Sequence, residues 1–392
     1  MTGLQVYLDN SATTRPYSAV VRAVAEAMEE HYGNPSSLHK MGVEADRVMS
    51  RARQAVAASL GAGPGEIVFT GGGSEAINLA IKGALPGRWG KHVVTTAVEH
   101  PAVLNACGQL KEQGIQVTVL PVDEQGAVQP GQLREALRED TYLVSVMYVN
   151  NEVGTVQPLD EIAEVLADFR RGGRKLLWHV DAVQAYGKLP LRPGELGVDL
   201  LSVSAHKAHG PKGVGALYVA PHTQLLPLVA GGGQEHGRRS GTENVPGLAG
   251  FGAAAAVIAR EARGAAERIF PLKKKLAEGI LAAVPGAVLN GPPCRRENLR
   301  CAPHIVNLSF PGLRGEILLH SLEERGIYVS TGSACASRKS PGSHVLKAMG
   351  VKGELLEGAV RFSLSSLNTE GDIDYAVEQT AAVVQELYAL YN

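Results

Sequence analysis

Short runs of β-branched and apolar residues punctuate the first two thirds of the chain, at residues 66–70, 92–98, 116–121, 141–149, 175–180, 200–204 and 213–219. Most are nearly continuous rather than alternating, the pattern of strands buried on both faces. Between several of them apolar residues recur at helical spacing, as in residues 160–171. The first run leads through three glycines to Ser74, after which Ile77, Ala80 and Ile81 share one helical face. Seven such strands separated by helices predict a mostly parallel seven-stranded sheet flanked by helices, an α/β arrangement. Sheets of this kind bind ligands beyond the carboxyl ends of their strands.

The pattern changes after the glycine-rich stretch 231–241. Long helical segments at 265–284 and 371–390 then surround short strands at 304–310, 327–330 and 359–365. Thr369 followed by Asp372 reads as a capping box for the last helix. We expect a large α/β domain over residues 15–255 and a smaller α+β domain over residues 1–14 and 256–392. A length of 392 residues suits two domains.

Composition narrows the function. The 38 Lys and Arg residues against 39 Asp and Glu leave no basic surplus for direct nucleic-acid binding. The longest apolar run, 247–259, is too short to span a bilayer, and the first residues lack a signal-peptide pattern. These features predict a cytoplasmic protein without a membrane partner. Four cysteines in so long a chain do not make a disulfide framework. The 46 glycines, about 12% of the chain, exceed the roughly 7% average and mark tight turns or close approaches.

Candidate chemistry lies at the ends of the strands. Gly71-Gly72-Gly73-Ser74 sits between a strand and a helix, where backbone N–H groups and the helix terminus attract anions. The same loop fits a plain turn, or a loose dinucleotide fingerprint with Glu99 at the next strand end. Asp181 ends an apolar strand; it either caps the following segment or holds a ring nitrogen protonated. Lys207 follows another buried strand among small residues and histidines. It is either a solvated charge or an amine poised to condense with an aldehyde. A phosphate loop, a strand-end aspartate and such a lysine are together what pyridoxal 5′-phosphate requires. Cys335 lies in a small polar stretch, the context of a reactive thiol, whereas Cys294 and Cys301 fit no zinc spacing and read as loop thiols.

These residues belong to a longer set of motifs. Tyr7-Leu8-Asp9-Asn10-Ser11-Ala12-Thr13-Thr14, Gly33-Asn34-Pro35-Ser36-Ser37, Val149-Asn150-Asn151-Glu152-Val153-Gly154, His179-Val180-Asp181-Ala182-Val183-Gln184 and Arg238-Arg239-Ser240-Gly241-Thr242 occur in that order. With the Ser204-Ala205-His206-Lys207 and Gly332-Ser333-Ala334-Cys335 segments, the chain resembles cysteine desulfurases of the NifS/IscS type over nearly its whole length. These belong to the class V aminotransferase group of fold-type I pyridoxal-phosphate-dependent transferases. Thr331 stands where that family usually has serine, and Gly71 and Gly73 where serine or alanine is commoner.

The resemblance implies a role for each residue. Lys207 would carry the cofactor, Asp181 would pair with its ring nitrogen, and Gln184 and Asn151 would contact its phenolic oxygen. His100 would stack on the ring and move protons. Gly73, Ser74, Ser204 and His206 would hold the phosphate, with Thr242 reaching across a homodimer interface. Arg361 and Asn34 would bind the substrate, L-cysteine. Cys335 would take its sulfur as a persulfide, leaving L-alanine. A sulfur-acceptor protein in iron–sulfur cluster assembly or in tRNA or cofactor thiolation would receive it. The alternative is another class V enzyme, such as a selenocysteine lyase or an aminotransferase.

Overall fold

The computed structural model describes residues 4–84, 90–221, 223–261, 264–295, 300–331 and 342–391. Its main sheet has seven strands in the order Ile67–Thr70, Gly215–Val219, Leu200–Ser204, Leu177–Asp181, Thr141–Met147, His92–Thr96 and Gln116–Leu120. The strand Gly215–Val219 runs antiparallel to both neighbours, and the other pairs are parallel. The expected mostly parallel sheet is therefore present, and six strands deliver their carboxyl ends to one edge.

The three central strands are buried on both faces, which explains their unbroken apolar character. Their few polar side chains satisfy one another. His179 lies between Ser145 Oγ at 2.8 Å and Ser202 Oγ at 2.9 Å. Burial pushes its pKa down to about 3, so the ring is neutral and bridges three strands without a charge. Register then sets Asp181 level with Met147 on one side and Ser202 on the other.

A second core gathers Val6 and Leu8 with Leu276, Leu308, Phe362 and Ile373. It packs the antiparallel sheet Val288–Asn290, Ile305–Ser309 and Ala359–Ser363 against helices Ala265–Ala283 and Glu370–Tyr391. The capping box forms as expected: Thr369 N donates to Asp372 Oδ2 at 2.9 Å and Asp372 N to Thr369 Oγ1 at 3.2 Å. Residue 255 falls inside helix Val245–Glu261, whose Ile258 packs in the larger core. Among the described residues, no helix is long and apolar enough to cross a membrane.

Glycine is required where the glycine loop meets the reversed strand. Gly72 has φ +149°, and a Cβ on Gly215 would lie 2.7 Å from both Gly72 C and Val203 O. Those are main-chain atoms with little freedom to retreat. Gly215→Ala is expected to cost about 1–3 kcal/mol by overpacking. Urea unfolding should show a lower midpoint, and an unchanged midpoint would mean that the loop yields freely.

Candidate active site

A cleft of about 370 Å³ opens at the carboxyl edge of the main sheet. It is lined by Gly73, Ser74, His100, Asn151, Asp181 and Gln184, and by Ser204, His206, Lys207 and Arg361. Residues spread over almost 300 positions converge because most end, or lie close beyond the end of, a strand of the main sheet, while Arg361 enters from within the strand Ala359–Ser363 of the smaller sheet. Asn34 and Thr242 do not line it. Asn34 is exposed and accepts a hydrogen bond from Ser36 N at 2.9 Å. Thr242 is exposed beside Gly71, Arg239 and Glu243 in a separate depression. Cys335 lies outside the described residues, but Ser330 before it and Ser343 and His344 after it all line the cleft.

The glycine loop opens helix Gly73–Gly83, and Glu75 in its first turn accepts from Gly71 N at 2.7 Å. Arg239 Nε holds the same carboxylate at 2.8 Å. A Cβ on Gly73 would come within 3.3 Å of Ser204 Cβ, so the missing side chain keeps the space before the helix open. Ser204 Oγ is buried with no hydrogen-bond partner. An orphan hydroxyl facing a helix N-terminus is suited to an anionic oxygen.

Asp181 is 5% exposed, and its Oδ1 accepts from Val183 N at 3.0 Å. Burial raises its pKa to about 6, against the opposing effects of that hydrogen bond and of Lys207. A protonated ring nitrogen beside it would favour the charged form. Lys207 Nζ donates to the carbonyls of Ser11 at 2.6 Å and Ala12 at 2.7 Å. A second lysine, Lys188, donates to the Lys207 carbonyl. Burial first, and Lys207 second, bring the Lys188 amine down to about 7.

His100 caps helix Pro101–Glu112, with Nδ1 accepting from Ala102 N at 3.1 Å. Burial, then Lys207 and His344, lower its pKa to about 4, so the ring is neutral near pH 7. With Nδ1 accepting, its proton sits on Nε2. His206 is likewise brought to about 4, chiefly by burial and then by Lys207. Gln184 Nε2 donates to Ser11 O at 3.0 Å, while its Oε1 faces His304 Nε2 at 3.5 Å. Arg361 donates from Nη2 to Asp9 Oδ1 at 2.8 Å and from Nη1 to Asn151 O at 2.9 Å, leaving Nε without a partner. A bidentate carboxylate would therefore share at least one of these donors with Asp9 or Asn151.

Several residues of the site carried no chemical signal in the sequence. Ser11 and Ala12 act through main-chain carbonyls, which composition does not display. Glu99 was legible as a possible ribose-binding acid, but it is fully buried and accepts from Thr96 Oγ1 at 2.7 Å and Met147 N at 2.8 Å. It turns away from any ligand at the glycine loop, which removes the acidic element of the dinucleotide fingerprint.

Burial raises Glu99 to about 8, opposed by those two hydrogen bonds. The folded protein thus keeps this proton where the unfolded chain, near 4.5, has lost it. Stability attributable to Glu99 is complete below about pH 4.5 and falls as pH rises toward 8, by about 1 kcal/mol per pH unit. Glu99→Gln should flatten the decline in melting temperature between pH 5 and pH 8. Parallel curves for the two proteins would show that Glu99 is ionised in the fold.

Comparison with known proteins agrees with this geometry. The profile of the family described as aminotransferase class-V matches residues 6–376. The "Cysteine desulfurase IscS" of Methanosarcina thermophila is 44% identical over 384 residues, covering 97% of this chain and 92% of that protein. A protein of the same description from Dictyoglomus turgidum is 42% identical, covering 98% of this chain and 95% of that one. A solved structure described as a NifS-like protein superposes with a TM-score of 0.90 at 39% identity, covering 98% of this chain and all of that chain. Another, "SspA in complex with cysteine", superposes with a TM-score of 0.77 at 33% identity, covering 93% and 100%. With its cleft at the carboxyl edge of a mostly parallel seven-stranded sheet, the chain belongs to the class V aminotransferase family and, within it, to the cysteine desulfurases of the NifS/IscS type.

Proposed function

We propose that this chain converts L-cysteine to L-alanine with pyridoxal 5′-phosphate and moves the sulfur to Cys335. The observation that carries the reading is the position of Ser330, Ser343 and His344. The segment holding Cys335 leaves the described chain and rejoins it at the wall of the cleft that gathers Lys207, Asp181, His100 and Arg361. We also assign residues 15–255 to a large cofactor-binding domain, and residues 1–14 and 256–392 to a small one.

The residues present fit the cofactor. The unpartnered Ser204 hydroxyl, Ser74 and the open space at Gly73 suit its phosphate, with His206 beside them. The buried Asp181 carboxylate suits a protonated ring nitrogen, and Gln184 and Asn151 suit its phenolic oxygen. Lys207 supplies the amine that carries it. When bound, pyridoxal phosphate supplies an aldehyde for the amino group of the substrate and a ring that absorbs electrons as the α-proton leaves.

The chain's own groups do the rest. The Lys207 amine, once released, takes the α-proton, and the neutral His100 ring holds a transferable proton at Nε2. Arg361 binds the carboxylate of the substrate, and Asn34, which does not line the cleft of its own chain, is a further substrate contact. The Cys335 thiolate attacks the sulfur of the substrate: an S–S bond forms, the Cβ–S bond breaks, and Cβ gains a proton. Overall, L-cysteine and the Cys335 thiol become L-alanine and a Cys335 persulfide, with no external oxidant. The persulfide then passes to an acceptor protein serving iron–sulfur assembly or tRNA or cofactor thiolation. The protein works in the cytoplasm as a homodimer, in which the partner subunit's Thr242 completes the phosphate site; the exposure of Thr242 outside its own cleft supports this arrangement.

Cys335→Ala should retain the visible absorbance of the bound cofactor while alanine formation from L-cysteine falls at least about a hundredfold. Both are read on the purified protein. Full turnover by the variant would overturn the sulfur-transfer step and favour a class V activity that needs no thiol.

A further inference from the structure

Cys294 and Cys301, expected as loop thiols, are buried at 8% exposure each, in the second core beside helix Ala265–Ala283. The two thiols lie close enough that each shifts the titration of the other. Lys273, from that helix, is only 1% exposed, and its Nζ donates to Cys301 Sγ at 2.9 Å and to Ala302 O at 2.6 Å. A cation buried in an apolar core favours an anion beside it, and among the described residues the Cys301 sulfur, with the Ala302 carbonyl, receives the Lys273 amine. Cys294, then Lys273, draws the Cys301 thiol down against burial, while Cys301 and burial push Cys294 up. The contact with Lys273 singles out Cys301 as the thiol to be activated, with Cys294 as its neighbour. Cys107 makes the contrast: burial first, and Glu99 second, push its thiol up to about 12.

We propose that Cys301 and Cys294, with Lys273 as the activating charge, form a peroxide-oxidisable dithiol outside the desulfuration cleft. None of the three lines that cleft. The Cys301 thiolate attacks one oxygen of hydrogen peroxide and the O–O bond breaks, giving a sulfenic acid and hydroxide, which is protonated to water. The Cys294 thiol then attacks the oxidised sulfur, forming the S–S bond and releasing a second water. Two thiols lose two electrons and one peroxide gains them. The disulfide leaves Lys273 with the Ala302 carbonyl in place of a thiolate, so the bond strands a buried charge and is readily reduced. The pair also adjoins the cleft wall: Cys301 bridges Thr155, and Ala302 N donates to Gly154 O at 2.9 Å, both in the turn that begins at Asn150.

The test uses the full chain with its cofactor bound, carrying Cys335→Ala to remove the other reactive thiol. After hydrogen peroxide treatment, free thiols are alkylated in denaturant and the protein is digested with trypsin. Cleavage after Arg295 and Arg300 separates the two cysteines, so a disulfide appears as peptides 276–295 and 301–314 joined, about 2 Da below their sum. We expect that species, its loss with dithiothreitol, and full alkylation of Cys107 in the same sample. Lys273→Met should slow its formation about tenfold. Cys294→Ser, which keeps Lys273 in place, should instead halt at a sulfenic acid on Cys301 that dimedone traps. Alkylation of Cys294 and Cys301 as complete as that of Cys107, or no dimedone adduct in Cys294→Ser, would overturn the proposal.

Discussion

A buried guanidinium joins the parts of this molecule. Arg361 lies on a strand of the smaller sheet with its side chain 6% exposed, and it binds Asp9 from the N-terminal segment and the Asn151 carbonyl from the main sheet's edge. A cation so desolvated needs compensating acceptors, and Asp9 and the Asn151 carbonyl supply them at Nη2 and Nη1 while Nε stays without a partner, so three distant stretches of chain are held to one point. The N-terminal segment is stitched in on both sides. Ser11 N donates to Ser363 Oγ, while Thr14 N donates to the His206 carbonyl. Lys207 then finds the Ser11 and Ala12 carbonyls waiting. The same guanidinium faces the cleft, so an arriving carboxylate meets a donor set already bound into the architecture.

Electrostatics in the cleft follow from desolvation more than from pairing. Burial keeps His100 and His206 neutral and raises Asp181 in the cleft, and behind its wall it raises Glu99 and lowers Lys188. Groups of both signs are thus biased toward their uncharged forms, which leaves the site ready to take up a charged ligand. The second core follows the other rule. There a buried lysine is held by a cysteine sulfur and a main-chain carbonyl.

Much of the architecture was legible along the chain. Strands buried on both faces write themselves as unbroken apolar runs, and the central strands were found where those runs lay. Asp181 and Lys207 stood out because a charge at the mouth of such a run is unusual. Other features left no local trace. Glu99 looked like a residue at a strand end facing a ligand, yet it points inward to Thr96 and Met147. Cys294 and Cys301 read as loop thiols because their spacing fits no zinc pattern, and only the fold buries them in the second core beside Lys273.

What the sequence determined by itself is therefore what periodicity and short motifs can encode: the alternation of strand and helix, the glycine loop, the capping box of the last helix, and the identity of the groups available for chemistry. These depend on residues within a turn or two of one another. Tertiary structure alone decided which groups meet. It set Arg361 against Asp9 across 352 positions and Lys207 against Ser11 across 196. It also kept Asn34 and Thr242 out of their own chain's cleft. The reason is physical: burial, desolvation and the filling of buried donors are properties of a neighbourhood in space, and no local stretch of chain contains its neighbourhood.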